Sequence, residues 1–363
     1  MMTTNDKVIP MGYFTDGKKA KILSIDGGGV RGIISICILK ELESKLHGPI
    51  QDHFNCITGT SVGGIIAAIL SIKDENGNFK YDAHYLYDNF AQFAKEIFSN
   101  DWFGGSWNFF SFGGTVGAKY HRDNLDEALQ RELGETTLSE TKLPIIIHAL
   151  ELYPIKPTAF STFHALENNK EDYKLYDVAG ATASAPTYLD PKHLDNKTFV
   201  DGGLYANDPS VAAAIEVLNF LPKLETEDLF VLSVGTGLET DGFQYSGNNG
   251  IFGWLFSKEN IIDLTLDATQ RFNHEVAKTG FKGHYFKLQP ELNHELPSLD
   301  DSSDKNLEYL KQIGEAYAKE YLDAHPDIIV VITSTEGVDL IALADDMAQE
   351  LLQEQVENTE LVA

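Results

Sequence analysis

The chain has 363 residues and a formal net charge of −27. That length can bury a large core, and it favours one large α/β domain with an appendage over two equal domains. The charge argues against nucleic-acid binding through phosphate neutralisation and against spontaneous adsorption to anionic bilayers.

Residues 1–20 read as an N-terminal extension with no apolar stretch of the signal-peptide kind. No run reaches 18 consecutive apolar residues, so no membrane span is expected. The expected location is the cytoplasm; export by a route needing no such signal stays open. Lys21 to Ile25 predicts a first strand, and Gly32 to Leu46 a helix with Ile33, Ile36, Leu39, Leu42 and Leu46 apolar. Between them lies Asp26-Gly27-Gly28-Gly29-Val30-Arg31-Gly32. Phe54 to Thr58 suits a short buried strand and Val62 to Ser71 a packed helix, and Gly59-Thr60-Ser61-Val62-Gly63 joins the two. The two cysteines, Cys37 and Cys56, fall in an apolar helix and an apolar strand, so reduced buried thiols are expected rather than a disulfide framework.

Lys73 to Tyr81 is a turn-rich break at Asn76-Gly77. Ala83 to Phe98 has helical spacing through Leu86, Phe90, Phe93 and Ile97. Asn100 to Tyr120 carries Trp102, Phe103, Trp107, Phe109, Phe110 and Phe112 among glycines, without a clean period. It reads either as a loop folded onto the core or as a flap or interfacial loop beside a site. His121 to Leu133 is a helix. Pro144 to Leu152 and Thr158 to Phe163 suit two strands, and Leu175 to Ser184 a small-residue helix. Thr198 to Val200 leads into Asp201-Gly202-Gly203, and Asn207-Asp208-Pro209 starts the next helix, Ser210 to Leu218. A buried strand, Leu229 to Val234, precedes an aromatic loop, Gly242 to Phe256. A long helix, Glu259 to Lys278, and a strand, His284 to Leu288, follow.

Beyond Pro290 come a helix over Asp304 to Leu322, an apolar run from Ile328 to Ile332, and a final helix near Val338 to Gln353. No Lys or Arg follows Lys319, while eleven Asp and Glu do; this reads as a solvated acidic end or a partner-binding tail. Strands alternating with helices predict an α/β fold, with a largely parallel sheet covered on both faces.

The second glycine turn is a G-x-S-x-G pentapeptide in the strand–turn–helix context of a nucleophile elbow. Close backbone approach there needs small neighbours, which Gly59, Gly63 and Gly64 supply. The following helix points its positive end at the Ser61 hydroxyl. The first turn also contains G-x-G-x-x-G, the fingerprint of a dinucleotide site. That reading wants an acidic residue at the end of a second strand, and Glu41, Glu43 and Asp52 fall in or just after the helix instead. A row of unhindered N–H groups able to hold an oxyanion is the better use of three consecutive glycines.

A D-G-G-G-x-[RK]-G loop, a G-x-S-x-G elbow and a D-G-[GA] turn stand here intact and in that order. With the small-residue run from Ala179 to Tyr188, they make the chain resemble the patatin-like phospholipase family from about Lys21 to Ser210. The resemblance implies a three-layer sandwich: a mostly parallel central sheet with helices on both faces. It assigns 21–290 to the catalytic domain and leaves 291–363 as a helical, acidic extension. It implies a serine lipid acyl hydrolase of phospholipase A type working through an acyl-enzyme. Ser61 would be the nucleophile and Asp201 its partner, with no histidine needed. Gly27, Gly28, Gly29 and Arg31 would form the oxyanion hole, with the N–H groups of Gly28 and Gly29 foremost. Gly32, Gly59, Gly63, Gly202 and Gly203 are the remaining motif positions. An ordinary carboxylate, with a pKa of about 3.9, is a weak base; burial would raise it.

Asp26 is expected to hold the glycine loop through backbone hydrogen bonds. Arg31 would fix the loop, meet a lipid phosphate or pair with a core carboxylate. No Cys/His cluster or EF-hand loop is present, so neither a metal nor a cofactor is implied. The expected partner is membrane or micellar lipid met peripherally, with room for an activating protein or small molecule, and no nucleic acid. Three alternatives remain. One is a Ser–His–Asp triad using His274, His284, His294 or His325. The others are a non-catalytic storage or binding protein on the same fold, and a nucleotide-binding protein.

Overall fold

The computed structural model describes residues 19–98, 118–221, 224–239, 261–281, 283–292 and 298–333. The aromatic segment up to residue 117, the loop at 242–256, the final helix at 338–353 and the part of the acidic end beyond residue 333 lie outside the described residues.

The strands are β1 (Ala20–Ile25), β2 (Cys56–Thr60), β3 (Ile145–Leu152), β4 (Ile155–Ser161), β5 (Lys192–Leu194), β6 (Lys197–Asp201), β7 (Leu229–Val234), β8 (Leu238–Glu239), β9 (Tyr285–Leu288) and β10 (Glu291–Leu292). The α-helices are α1 (Gly32–Leu46), α2 (Val62–Ser71), α3 (Ala83–Ile97), α4 (Arg122–Leu133), α5 (Thr162–Glu167), α6 (Leu175–Thr182), α7 (Gly203–Ala206), α8 (Ser210–Phe220), α9 (Ile261–Gly280), α10 (Asp304–Ala324) and α11 (Asp327–Thr333). The main sheet runs β5-β6-β3-β2-β1-β7-β9, with β4 also on β3. Its centre, β3-β2-β1-β7-β9, is parallel. β4, β5 and β6 join antiparallel.

Side-chain alternation makes three layers of this sheet. β1 turns Leu23 and Ile25 to one face, against α1, α2, α3 and α10; it turns Ala20 and Ile22 to the other, against Phe163, Val217 and Ala277. β7 splits in the same way, with Phe230, Leu232 and Val234 opposite Leu229 and Val231. The central strands are buried on both sides, which explains why β1 and β7 are mostly apolar. The fold is therefore the α/β sandwich expected, with helices on both faces. Among the described residues no helix is long and apolar enough to cross a membrane.

Several element bounds differ from the sequence reading for local reasons. β2 continues through Gly59 to Thr60, because pairing with β3 holds those residues extended. β4 starts at Ile155, and its first three residues are exposed, so no hydrophobic alternation marks them. It ends at Ser161, whose hydroxyl caps α5 by accepting the His164 N–H at 3.1 Å. The apolar run Ile328 to Ile332 is helical, with Ile328, Val331 and Ile332 buried at i, i+3 and i+4. α10 packs along α1, and its Leu307, Leu310 and Leu322 share the core of β1 and α2.

One buried carboxylate ties the α1 face together. Glu43 accepts the N–H of Ile50 at 3.0 Å and that of Ala83 at 2.9 Å. Glu43→Ala leaves both donors without an acceptor, so it should cost about 2–4 kcal/mol. A urea-unfolding midpoint unchanged by the substitution would show that these bonds contribute nothing.

Candidate active site

β3 aligns the two strand ends that carry the motif residues. With β4 along one side of it, β2 and β6 share the other. β2 arrives in parallel and ends with Thr60 opposite His148; β6 arrives from the opposite direction and ends with Asp201 opposite Ala149. The ends meet head to head at adjacent residues of β3, and this sets Ser61 beside Asp201.

Ser61 has φ 54° and ψ −127°, a backbone state that a side-chain-bearing residue rarely holds. Its N–H donates to Thr182 Oγ1 at 2.8 Å, and the Thr182 hydroxyl donates to the His148 carbonyl at 2.5 Å. Its carbonyl accepts the Ile65 N–H in the first turn of α2 at 3.1 Å. The elbow closes against β1: a Cβ on Gly63 would lie 2.1 Å from the Ile25 carbonyl oxygen, and one on Gly59 would lie 2.2 Å from that of Gly63. Gly32 opens α1 against the Val62 side chain.

Asp201 is 1% exposed. One carboxylate oxygen accepts the Gly203 N–H at 2.7 Å, within the turn made by Gly202 and Gly203; the other has no hydrogen bond among the described residues. Burial lifts its pKa to about 7, against a smaller downward pull from the Gly203 N–H and the neighbouring Ser61 hydroxyl. Ser61 stands beside the carboxylate without a closed hydrogen bond to its free oxygen.

The glycine loop divides its N–H groups. That of Gly27 donates to the Asn207 carbonyl at 3.0 Å, and that of Val30 to the Leu299 carbonyl at 2.8 Å. Those of Gly28 and Gly29, between them, have no protein acceptor among the described residues. Gly29 has φ +56°, and a side chain there would strike the Leu299 carbonyl. Arg31 turns away: its guanidinium pairs with Glu239 at 3.0 Å. Of the four residues grouped as an oxyanion hole from sequence, Gly28 and Gly29 line one cleft with Ser61 and Asp201. The N–H of Gly27 and the side chain of Arg31 are engaged elsewhere.

Ile65, Phe90, Phe93, Ile97, Leu125 and Leu189 make much of the wall of that cleft. No histidine lines it among the described residues. His274 meets the Tyr285 hydroxyl at 3.0 Å, His284 meets Lys19 at 3.3 Å, and His325 lies against the Tyr321 ring. His294 lies outside the described residues.

Asp26 holds its loop differently from the sequence expectation. Its carboxylate accepts Gln270 Nε2 at 2.5 Å and an ammonium hydrogen of Lys287. Its backbone N–H goes to the Val234 carbonyl at 3.0 Å. Lys287 also reaches Asp208 at 2.8 Å. Burial works against the charge of Lys287, but Asp208 and Asp26 together hold its pKa above the usual lysine value. Sequence reasoning treated Asn207-Asp208-Pro209 only as a helix start and passed over Lys287. The available signal was a lone lysine inside the apolar strand Tyr285–Leu288.

The sequence profile of the family described as "Patatin-like phospholipase" matches residues 23–214. The chain is similar to Patatin-like protein 2 of Arabidopsis thaliana, with 30% identity over 84% of this chain and 84% of that one. It is similar to Patatin-like protein 1 of the same plant, with 29% identity over 82% and 81%. The solved structure of VipD from Legionella pneumophila is similar at a TM-score of 0.39 and 11% identity, over 94% of this chain and 76% of that one. The extent of the profile match and the near-complete overlap with the plant relatives agree with the ordered motifs: the chain belongs to the patatin-like phospholipase family.

Proposed function

We propose that the protein is a serine lipid acyl hydrolase of phospholipase A type, working through a Ser61–Asp201 dyad. The observation that carries this is the juxtaposition of an elbow serine with a buried carboxylate that has one free oxygen, at an apolar cleft. Ser61 Oγ attacks the ester carbonyl as its proton passes to Asp201. The carbonyl oxygen becomes an oxyanion, received by the N–H groups of Gly28 and Gly29; each such donor contributes roughly 3 kcal/mol at the transition state. Collapse expels the alcohol, which takes the proton from Asp201 and leaves acyl-Ser61. Water then attacks the acyl-enzyme, giving its proton to Asp201, and collapse returns that proton to Ser61 as the fatty acid leaves.

The cleft wall suits an acyl chain, since burying apolar surface supplies about 25 cal/mol per Å². The substrate is accordingly a fatty-acyl ester met at a membrane or micelle surface. A fluorophosphonate probe should label wild-type protein at Ser61 and leave Ser61→Ala unlabelled. Free fatty acid should accumulate from phosphatidylcholine micelles only with the former. Labelling without any ester hydrolysis would remove the lipase reading.

Asp201 must be ionised to accept the proton, and burial places its pKa at about 7. kcat/KM on a soluble ester should therefore rise through about pH 7 to a plateau, not through the pH 4 of an ordinary carboxylate. A profile already flat from pH 5 upward would show that the base ionises as an ordinary carboxylate does and not as a buried one.

A further inference from the structure

Behind the glycine loop lies a polar cluster that touches none of the reacting atoms. Lys287, on β9, sends its ammonium to Asp26, to Asp208 at 2.8 Å and to Ser233 Oγ at 2.9 Å. Asp26 is 0% and Asp208 1% exposed. Gln270 of α9 donates to Asp26, and the Tyr285 hydroxyl donates to Asp208 at 2.9 Å. The Ser210 N–H closes on the other Asp208 oxygen at 3.0 Å.

The positions of the two carboxylates give the cluster its meaning. Asp26 immediately precedes Gly27, Gly28 and Gly29. Asp208 immediately follows Asn207, on the segment that leaves the Asp201-Gly202-Gly203 turn through α7. The two segments are joined twice. One joint is the Gly27 N–H on the Asn207 carbonyl. The other is the lysine shared by Asp26 and Asp208. Remove the ammonium, and two buried carboxylates face each other unbalanced; one must take a proton or the segments must part. The cluster also bears on charge. An ionised Asp26 beside the donor loop opposes an oxyanion there, and Lys287 offsets that field. Net stability is a poor reason for burying an ammonium between two carboxyl groups, because desolvation consumes most of what pairing returns.

We propose that Lys287 is a positioning residue for the hydrolytic reaction. Through Asp26 and Asp208 it fixes the spacing between the Gly28–Gly29 donors and the Ser61–Asp201 pair. This rests on the dyad reading above.

The test compares Lys287→Arg, Lys287→Met and the double variant Lys287→Met, Asp208→Asn, which removes the unbalanced carboxylate. Each is assayed on a soluble short-chain ester, with active sites counted by fluorophosphonate titration. Each is also titrated with a short-chain trifluoromethyl ketone, whose serine adduct carries an oxyanion. Lys287→Met should lower kcat per active site about 10- to 100-fold with KM within about twofold, and should weaken the ketone by a similar factor. Lys287→Arg should recover most of the rate. The double variant should regain thermal stability without regaining kcat. A folded Lys287→Met or double variant whose kcat per site stays within about twofold of wild type overturns the proposal. So does a slow variant that binds the ketone as tightly as wild type. Wild-type hydrolysis that depends on Ser61 is the control. Its absence removes the dyad reading, whereas its presence beside unimpaired lysine variants removes this proposal alone.

Discussion

Asp201→Asn is expected to yield a protein that has lost its activity and gained stability at pH 8. The loss follows from the role proposed for it: an amide cannot take the proton of Ser61, so kcat/KM should fall about a thousandfold or more, as for Ser61→Ala. The gain follows from the pKa of about 7 that burial imposes. In the unfolded chain the same carboxyl ionises near pH 3.9. Between those values the folded state binds the proton and the unfolded state has lost it. The protonated carboxyl therefore favours the fold below about pH 4, and that contribution is lost as pH rises through about 7. At pH 8 wild type carries the full cost of a buried, half-satisfied carboxylate. The amide is free of that cost and its oxygen can still accept the Gly203 N–H. The difference should reach up to about 4 kcal/mol at pH 8 and shrink towards pH 4. Urea unfolding of both proteins across this range is the measurement. A variant no more stable at pH 8 than at pH 4, relative to wild type, would mean that the aspartate titrates normally. Retained hydrolysis would end its role as base.

Gly63→Ala should do the opposite of what a helix interior normally allows. In an exposed helix the change stabilises by about 1 kcal/mol. Here the added methyl would sit 2.1 Å from the Ile25 carbonyl oxygen and 2.6 Å from that of Asp26. Both atoms are backbone at the end of β1, where no side chain can swing aside. Either α2 lifts from the sheet, taking Ser61 with it, or the glycine loop moves. The expected cost is more than about 3 kcal/mol, with a melting-temperature fall of at least about 5 °C and loss of Ser61 labelling. A stable, fully labelled variant would show that the elbow has slack.

The parts legible in the sequence were those fixed by neighbours in the chain. Ser61 announces itself because an elbow is a local event, and the glycines at 59, 63 and 64 exist to permit it. β1 and β7 were legible because burial on both faces keeps them mostly apolar, with the small hydroxyls of Ser24 and Ser233 as exceptions. What escaped depends on partners far along the chain. The first residues of β4 are exposed, and only pairing with β3 makes them a strand. Arg31 is a motif residue, yet its direction is set by Glu239. Gly27 and Gly28 look alike in sequence and differ only because Asn207 reaches one of them. Lys287 could not be interpreted without seeing that β9 lies beside β7, with Asp26 and Asp208 converging on it.

On the proposed dyad, the meeting of β2 and β6 on β3 would make the activity a sensor of completed folding. β2 and β6 do not pair with each other; β3 is the strand that sets one relative to the other. A slip of one residue in β6 would place Val200 or Gly202 opposite Ala149 and turn the Asp201 carboxylate to the opposite face. If Asp201 is the base as proposed, a chain in which β6 has not yet paired with β3 should be inert towards lipid. Hydrolytic capacity should thus appear late in refolding, in step with the slowest long-range pairing and after most helix has formed.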